Sequence, residues 1–554
     1  MNPFQSTSSR RPESSKFDLS HNRKFSFKPG YLYPILVTEA IPSDVWNYDC
    51  NAVVRMAPML SPVMHMVDVC VHSFFYPERL TQKRGYFETF ITGGSRGDGK
   101  ASDGTTVECP YFVVTGDPSS SAAAISIPER MGEGSLADFL GIHVSNIAGL
   151  GAGTQRINAR PFIAFWRIYT EYFRDQNVQF DPTEVYTVPG ANIFDSPGGD
   201  MTAAIYAAIT AVGEFEFQFF ELPRVCWDKD YFTSALPFAQ RGEAVEAPLT
   251  GSATITYKDV SEVFRQDGGL PFATDPLKGS DTGELLTNNS VNPNEPGRIE
   301  NLDEITLNAG GFTITALRTA ARLQEWLEKM ATGGARYIEQ IKAQFGVTSS
   351  DARLQRAEYL GGGKIPMHIN EVVQSSADDA TPLAEMAGHG VTAGNVTNFK
   401  KFVEEHGYFL TFIYLRPKPA YQQGLPRMFF NRFDKLDYAW PSFARIGEQE
   451  ILRKELWFSL NPTFDEGVFG YQQRYAEYKY LPSTVHGEFQ STLNHWQWGR
   501  IFDSPPALSA EFVQCDPSDR IFNILGLGTD SLYCIVNNRI TARRPLPYYG
   551  EPTL

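Results

Sequence analysis

With 554 residues, 42% of them hydrophobic and 13% aromatic, the chain can bury a large core, which excludes a disordered or fibrous protein. Its net charge of −15 excludes a protein that wraps itself in nucleic acid over its whole surface. No run reaches the ~20 apolar residues of a bilayer span, and the opening MNPFQSTSSRRPESSK lacks the apolar stretch of a secretory signal.

Residues 1–30 are polar, carry a net charge of +4 and show little apolar periodicity, so they read as a flexible basic N-terminal arm. Residues 31–554 read as a single domain with insertions. Leu32–Val37, Val45–Met56 and Val67–Tyr76 are predicted strands; the last alternates Val67, Val69 and Val71 before Phe74 and Phe75. Gly94–Lys100 has the spacing of a phosphate-binding loop. Ala101, however, stands where the magnesium-binding hydroxyl belongs, and no amphipathic helix follows, so the segment reads as a plain loop. Ser135–Leu140 reads as a short helix capped by Ser135 and stopped by Gly141. Pro161 suits the first position of a helix whose Phe162, Phe165, Trp166, Tyr169, Tyr172 and Phe173 recur at helical spacing. Such a stripe could be a platform for a sugar or a base, but helical spacing favours core packing.

EFEFQFFEL at Glu214–Leu222 has a period of two and reads as a strand. Residues 244–311 are polar, rich in Gly, Ser, Thr, Asn and Pro, and strongly acidic. A structureless segment of that length is unusual inside a compact domain, so it reads either as disordered or as a surface projection stabilised by neighbouring subunits. Leu317–Phe345 is amphipathic, broken at Gly333-Gly334 and ended by Gly346; Gly361-Gly362-Gly363 reads as a turn. Tyr408–Leu415, Ile521–Leu527 and Leu532–Val536 complete the predicted strands. Strands so far apart in sequence must pair non-locally, as in a Greek-key sandwich.

No H-x-H or H-E-x-x-H pattern, G-x-S-x-G elbow or C-x-x-C pair occurs, so the residues indicate no metal site, cofactor or catalytic group. The six scattered cysteines read as buried free thiols. The informative feature is charge polarity: basic ends and an acidic middle suit a wall with an inside and an outside. The candidate nucleic-acid contacts, expected to face inward, are Arg10, Arg11, Lys16, Arg23 and Lys24 near one end and Arg539, Arg543 and Arg544 near the other. Phe17 or Phe25 could stack on a base.

FDLSHNRKFSFKPG (Phe17–Gly30) resembles the major capsid proteins of microviruses, in particular their gokushovirus branch. The resemblance continues through RMAPMLSPVMHMVDVCVHSFFYPERL (Arg55–Leu80), FITGG (Phe90–Gly94), YFTSALPFAQRG (Tyr231–Gly242) and ARYIEQIKAQFGVTSSDARLQRAEYLGGG (Ala335–Gly363). It ends in EHGYFLTFIYLRP (Glu405–Pro417), YQQGLPRMFF (Tyr421–Phe430), WPSFARIGEQE (Trp440–Glu450) and VFGYQQRYAEYKYLPS (Val468–Ser483). It departs at KRGYFETFITGG, which lacks the family's usual tryptophans.

The resemblance implies a mainly β fold, an eight-stranded jelly roll with long loop insertions containing a few helices. It also implies self-assembly through pentamers into a sixty-copy T=1 icosahedral shell around circular single-stranded DNA. The implied partners are an internal scaffolding protein, a small basic DNA-binding protein and a DNA pilot protein. It implies assembly in the host cytoplasm and residence in the virion, no enzymatic activity, and a large insertion projecting at the threefold axes, for which residues 244–311 are the candidate. The competing reading is a β-sandwich that binds or cleaves glycans, which the aromatic content would suit.

Overall fold

The computed structural model describes residues 14–549, apart from 95, 119–120, 143–150, 183–186, 189–190, 197, 211–217, 335, 376–383, 385, 524–528 and most of 244–313. Ten strands make its framework: β1 (Ser15–Asp18), β2 (His21–Phe27), β3 (Tyr33–Ala40), β4 (Val45–Met56), β5 (Val67–Pro77), β6 (Glu358–Pro366), β7 (His368–Val373), β8 (Met386–Phe402), β9 (Gly407–Pro417) and β10 (Leu532–Arg544). In one sheet β1 and β2 both pair with β10, which is followed by β4, β8 and β7; in the other the order is β6–β5–β9–β3. All these pairings are antiparallel. The chain crosses between the sheets at β2–β3, β3–β4, β4–β5, β6–β7, β8–β9 and β9–β10, so sheet neighbours are seldom sequence neighbours. With β1–β2 as one interrupted strand and β7 as an extension beside β8, this is the double Greek key of a jelly roll.

The inner faces pack on each other. Trp46, Tyr48 and Val54 of β4 and Val536 and Ile540 of β10 meet Val69, Val71 and Phe75 of β5 and Phe409 and Ile413 of β9. The outer face of the second sheet carries a further layer, in which Phe74, Leu410, Phe412 and Tyr414 pack with an inserted helical region. Within that region, α1 (Leu136–Leu140) is capped as expected: Ser135 Oγ accepts from Asp138 N at 3.3 Å, and Gly141 closes it with φ 106°. In α2 (Arg160–Ile168) Pro161 takes the second position rather than the first, and a wider π-type turn continues through Tyr169–Phe173. Phe162, Phe165 and Trp166 are buried core side chains, so this stripe is packing and not a platform. The later amphipathic run forms α3 (Ile314–Thr332) and α4 (Tyr337–Phe345), parted at the predicted glycine pair and stopped by Gly346.

Gln240–Met330 forms a compact unit of its own, distinct from Met1–Ala239 with Ala331–Leu554. In it Gly251–Thr256 pairs antiparallel with Glu304–Ala309, and Leu277–Gly279, Leu285–Thr287 and Gly297–Arg298 form a small sheet. The rest of the expected 244–311 projection lies outside the described residues.

Several expectations are corrected. From Ser15 onward the basic arm is not loose: β1 and β2 are paired strands, and Phe25 and Phe27 pack against Tyr33. Their partner lies more than 500 residues away, which no local pattern reveals. Gly361-Gly362-Gly363 is not a turn but part of β6. A Cβ at Gly363 would fall on the Val396 carbonyl oxygen of the opposite sheet and one at Gly362 on the His72 ring of the neighbouring strand, so glycine answers close approaches at both positions. Of Glu214–Leu222, residues 214–217 lie outside the described part, whereas Phe219 and Phe220 sit in a turn that drives both rings into the core. Ile521 belongs to a short 3₁₀ turn and Phe522 makes an isolated bridge to Met59; residues 524–527 are not described. All six cysteines are free, but Cys109 and Cys226 are only half-buried.

Candidate nucleic-acid interface

The strict alternation of β4 and β10 divides their side chains between two environments. Trp46, Tyr48, Cys50, Ala52, Val54 and Met56 point into the sandwich, and Val45, Asn47, Asp49, Asn51, Val53 and Arg55 point away from it. In β10 the inward set includes Leu532, Val536 and Ile540, and the outward set is Tyr533, Ile535, Asn537, Arg539, Thr541 and Arg543. The inward polar exception, Asn538, is satisfied: it accepts from the Tyr48 hydroxyl at 2.9 Å and donates to the Ile35 carbonyl at 3.1 Å.

Register lines the outward groups up across strands. Asn22, Asn537, Asn51 and Asn395 stand opposite one another on β2, β10, β4 and β8. The adjoining rows bring Arg539 beside Asp49 and Asn398, Thr541 beside Asn47 and Lys400, and Lys16 beside Arg543. Asp49 is held by Arg539 at 3.9 Å and also accepts from Asn395. Lys16, Lys24, Arg55, Lys400, Arg539 and Arg543 thus share a face with only Asp18 and Asp49 on these strands, which makes it positive on a chain of net charge −15. The Asp18 carboxyl is held below its ordinary range by hydrogen bonds from Ser20.

Lys16, Lys24, Arg539 and Arg543 therefore come together, although the two pairs are far apart in sequence. Arg23 does not join them. Its guanidinium turns inward and donates to the carbonyls of Phe139 at 2.8 Å and Pro34 at 3.3 Å, and burial lowers its pKa despite Asp138 nearby. Arg544 also turns away: it lies over the Trp46 ring, donates to the Glu39 carbonyl at 2.8 Å and faces the fully buried Asp44 at 3.3 Å. Arg10 and Arg11 lie outside the described residues. Sequence reasoning missed Arg55, Lys400 and the asparagine row. The alternation of β4 carried a signal for Arg55 and Asn51, since both fall on the polar phase of that strand.

A site that cleaves glycans needs a pair of carboxylates beside the sugar. Glu455 and Glu477 do line an aromatic-walled groove, but Arg427 lies 3.3 Å from Glu455 and Arg432 lies 3.3 Å from Glu477. Burial raises the Glu455 pKa, while Arg427, the Leu452 N–H and the Tyr231 hydroxyl draw it back. Among the described residues no group of three or more His, Cys, Asp or Glu side chains could hold a metal ion, and no helix is long and apolar enough to cross a membrane.

Comparison with known proteins gives a concordant result. The family described as "Capsid protein (F protein)" matches residues 4–554. The chain is 33% identical to "Capsid protein VP1" of Bdellovibrio phage phiMH2K, over 97% of this chain and 95% of the relative. It is 30% identical to "Capsid protein VP1" of Chlamydia phage 1, over 98% and 95%, and 28% identical to that of Spiroplasma virus 4, over 98% and 95%.

Proposed function

The chain belongs to the F-protein capsid family, the microvirus shell proteins, and from that premise we propose that it closes, through pentamers, into a sixty-copy T=1 shell around circular single-stranded DNA. Its role is structural rather than catalytic, and its place is the virion. The positive, asparagine-lined face of the β1/β2–β10–β4–β8–β7 sheet is turned inward against the genome. That face is the observation that carries the DNA-facing part of the reading. Sixty subunits at −15 each repel DNA unless the interior is locally basic. Lys16, Lys24, Arg539, Arg543, Arg55 and Lys400 can meet phosphates. The asparagine row offers amide donors and acceptors to unstacked bases, and the half-exposed Tyr533 offers a stacking surface. A duplex keeps its bases stacked and their Watson–Crick edges paired, so the face suits a single strand.

The resemblance also supplies the partners: an internal scaffolding protein for assembly in the host cytoplasm, a small basic DNA-binding protein and a DNA pilot protein. Residues 244–311, within the separate unit Gln240–Met330, are proposed as the threefold surface projection.

Co-expression with the phage's scaffolding protein, followed by sedimentation and cryo-electron microscopy, tests the reading. Pentamers and closed sixty-copy particles with Asn537 and Arg539 lining the cavity are expected. A chain that stays monomeric under those conditions, or particles that carry this face on the outside, would overturn it.

A further inference from the structure

Between Met428 and Leu481, twelve large apolar side chains are exposed, from Phe458 at 42% to Leu481 at 91%. No other stretch of that length among the described residues exposes as many. The segment is firmly built. It rests on a small core that includes Tyr231, Phe232, Tyr421, Ile451 and Phe469. Arg432 lies over the Tyr478 ring, the Trp440 N–H donates to the Tyr475 hydroxyl at 3.2 Å, and Lys454 covers Phe430 at 4.2 Å. These apolar groups are held outward by structure.

A groove of about 600 Å³ opens in the same surface, walled by Tyr231, Tyr421, Met428, Tyr478, Leu481 and Val485. Its charged groups already have partners within the chain: Arg427 with Glu455, Arg432 with Glu477, and the Tyr231 hydroxyl donating to Glu455 at 2.9 Å. The groove therefore calls for an apolar occupant, because a charged one would find no counter-charge free.

We propose that this surface is a contact with a second copy of the chain, whose apolar side chain enters the groove. The choice of a second copy rests on the shell reading above, in which identical subunits supply one covering surface for every groove. The area argues the same way. Seven of the twelve are aromatic and 42–87% exposed; at ~150–250 Å² per aromatic side chain they alone leave on the order of 800 Å² accessible, comparable with the ~800 Å² that one partner brings to a standard interface. In a ring of more than two copies the groove and the group that fills it lie on different faces of the subunit.

The test uses the full chain co-expressed with the scaffolding protein, as wild type, as the double variant Phe433→Glu/Leu481→Glu, and as Tyr337→Glu. The first two positions are 87% and 91% exposed and Tyr337, on α4, is 71% exposed, so the new charges leave the folded subunit intact, which circular dichroism checks. The double variant should lose particles by more than tenfold and sediment as folded small species, while Tyr337→Glu assembles like wild type. Independently, a photo-crosslinker on Leu481→Cys in assembled particles should join two chains. Normal assembly of the double variant overturns the proposal while leaving the shell reading standing, and so does equal failure of Tyr337→Glu. Crosslinks confined to one chain, or to the scaffolding protein, overturn it likewise. A monomeric wild type overturns the shell reading and this proposal together.

Discussion

The two sheets of the sandwich are made of similar strands but meet different surroundings. In β9 every side chain from Gly407 to Leu415 is buried, whereas β10 alternates buried and exposed along most of its length. The difference lies in what covers the second face. Even-numbered residues of β9, such as Leu410 and Phe412, pack into the helical insertion, and odd-numbered ones, such as Phe409 and Ile413, pack into the sandwich. Among the described residues β10 has a protein neighbour on its inner face only, and its outer face carries Arg539, Asn537 and Tyr533. A sheet covered on both sides becomes a scaffold; a sheet covered on one side keeps a surface to use.

The sharpest break of this contrast is truncation on the two faces of β9. Phe409→Ala, which removes a ring 4.6 Å from Trp46, and Phe412→Ala, which removes one 5.6 Å from Phe165, should each cost ~3–5 kcal/mol in denaturant unfolding. A near-neutral result at either position would mean that face is not core. Next comes Arg544→Met, which keeps the stem but leaves the buried Asp44 without its cation. About 3 kcal/mol is expected, and Asp44→Asn in the same chain should recover part of it.

A smaller effect depends on pH. His72, on β5, lies between Tyr359 and Tyr414; burial first, then the charges of Arg416 and Lys364, bring its pKa down to about 4. The folded state thus prefers the neutral ring, while the unfolded chain takes up a proton near pH 6.5. Stability is full above that value and falls as pH drops toward 4, by at most roughly 3 kcal/mol. In His72→Phe the urea midpoint should change less with pH across this window; an unchanged slope would assign the loss to other groups. Smallest in stability is Arg539→Ser with Lys400→Ser on the open face, expected within about 0.5 kcal/mol of wild type. The same variant should bind single-stranded DNA more weakly and with a shallower salt dependence. Unchanged DNA retention would separate this face from the genome.

Much of the frame could be read directly. The run Val45–Met56 gave β4 with its observed ends, and the aromatic-rich run at Tyr408–Leu415 gave a strand, whose burial on both sides the structure adds. Ser135 and Gly141 marked the ends of α1 because caps act on backbone groups within one turn. The quoted blocks also carried the capsid family. Where the strands went was another matter. Ser15–Asp18 and His21–Phe27 are polar and short, and become strands because β10 offers them a hydrogen-bonding edge from the far end of the chain.

What the sequence determined by itself was local: which segments alternate, where helices stop, and that the ends are basic. Tertiary structure alone decided which basic groups face outward. Arg23 and Lys24 are neighbours in sequence, yet one donates to buried carbonyls and the other stands on the open face, because side chains of a strand alternate and, among the described residues, only one side of this sheet is covered. In the same way register, not composition, brought Asn22, Asn51, Asn395 and Asn537 into one row. Such a row is fixed by hydrogen bonds between distant strands, and no window of neighbouring residues contains them.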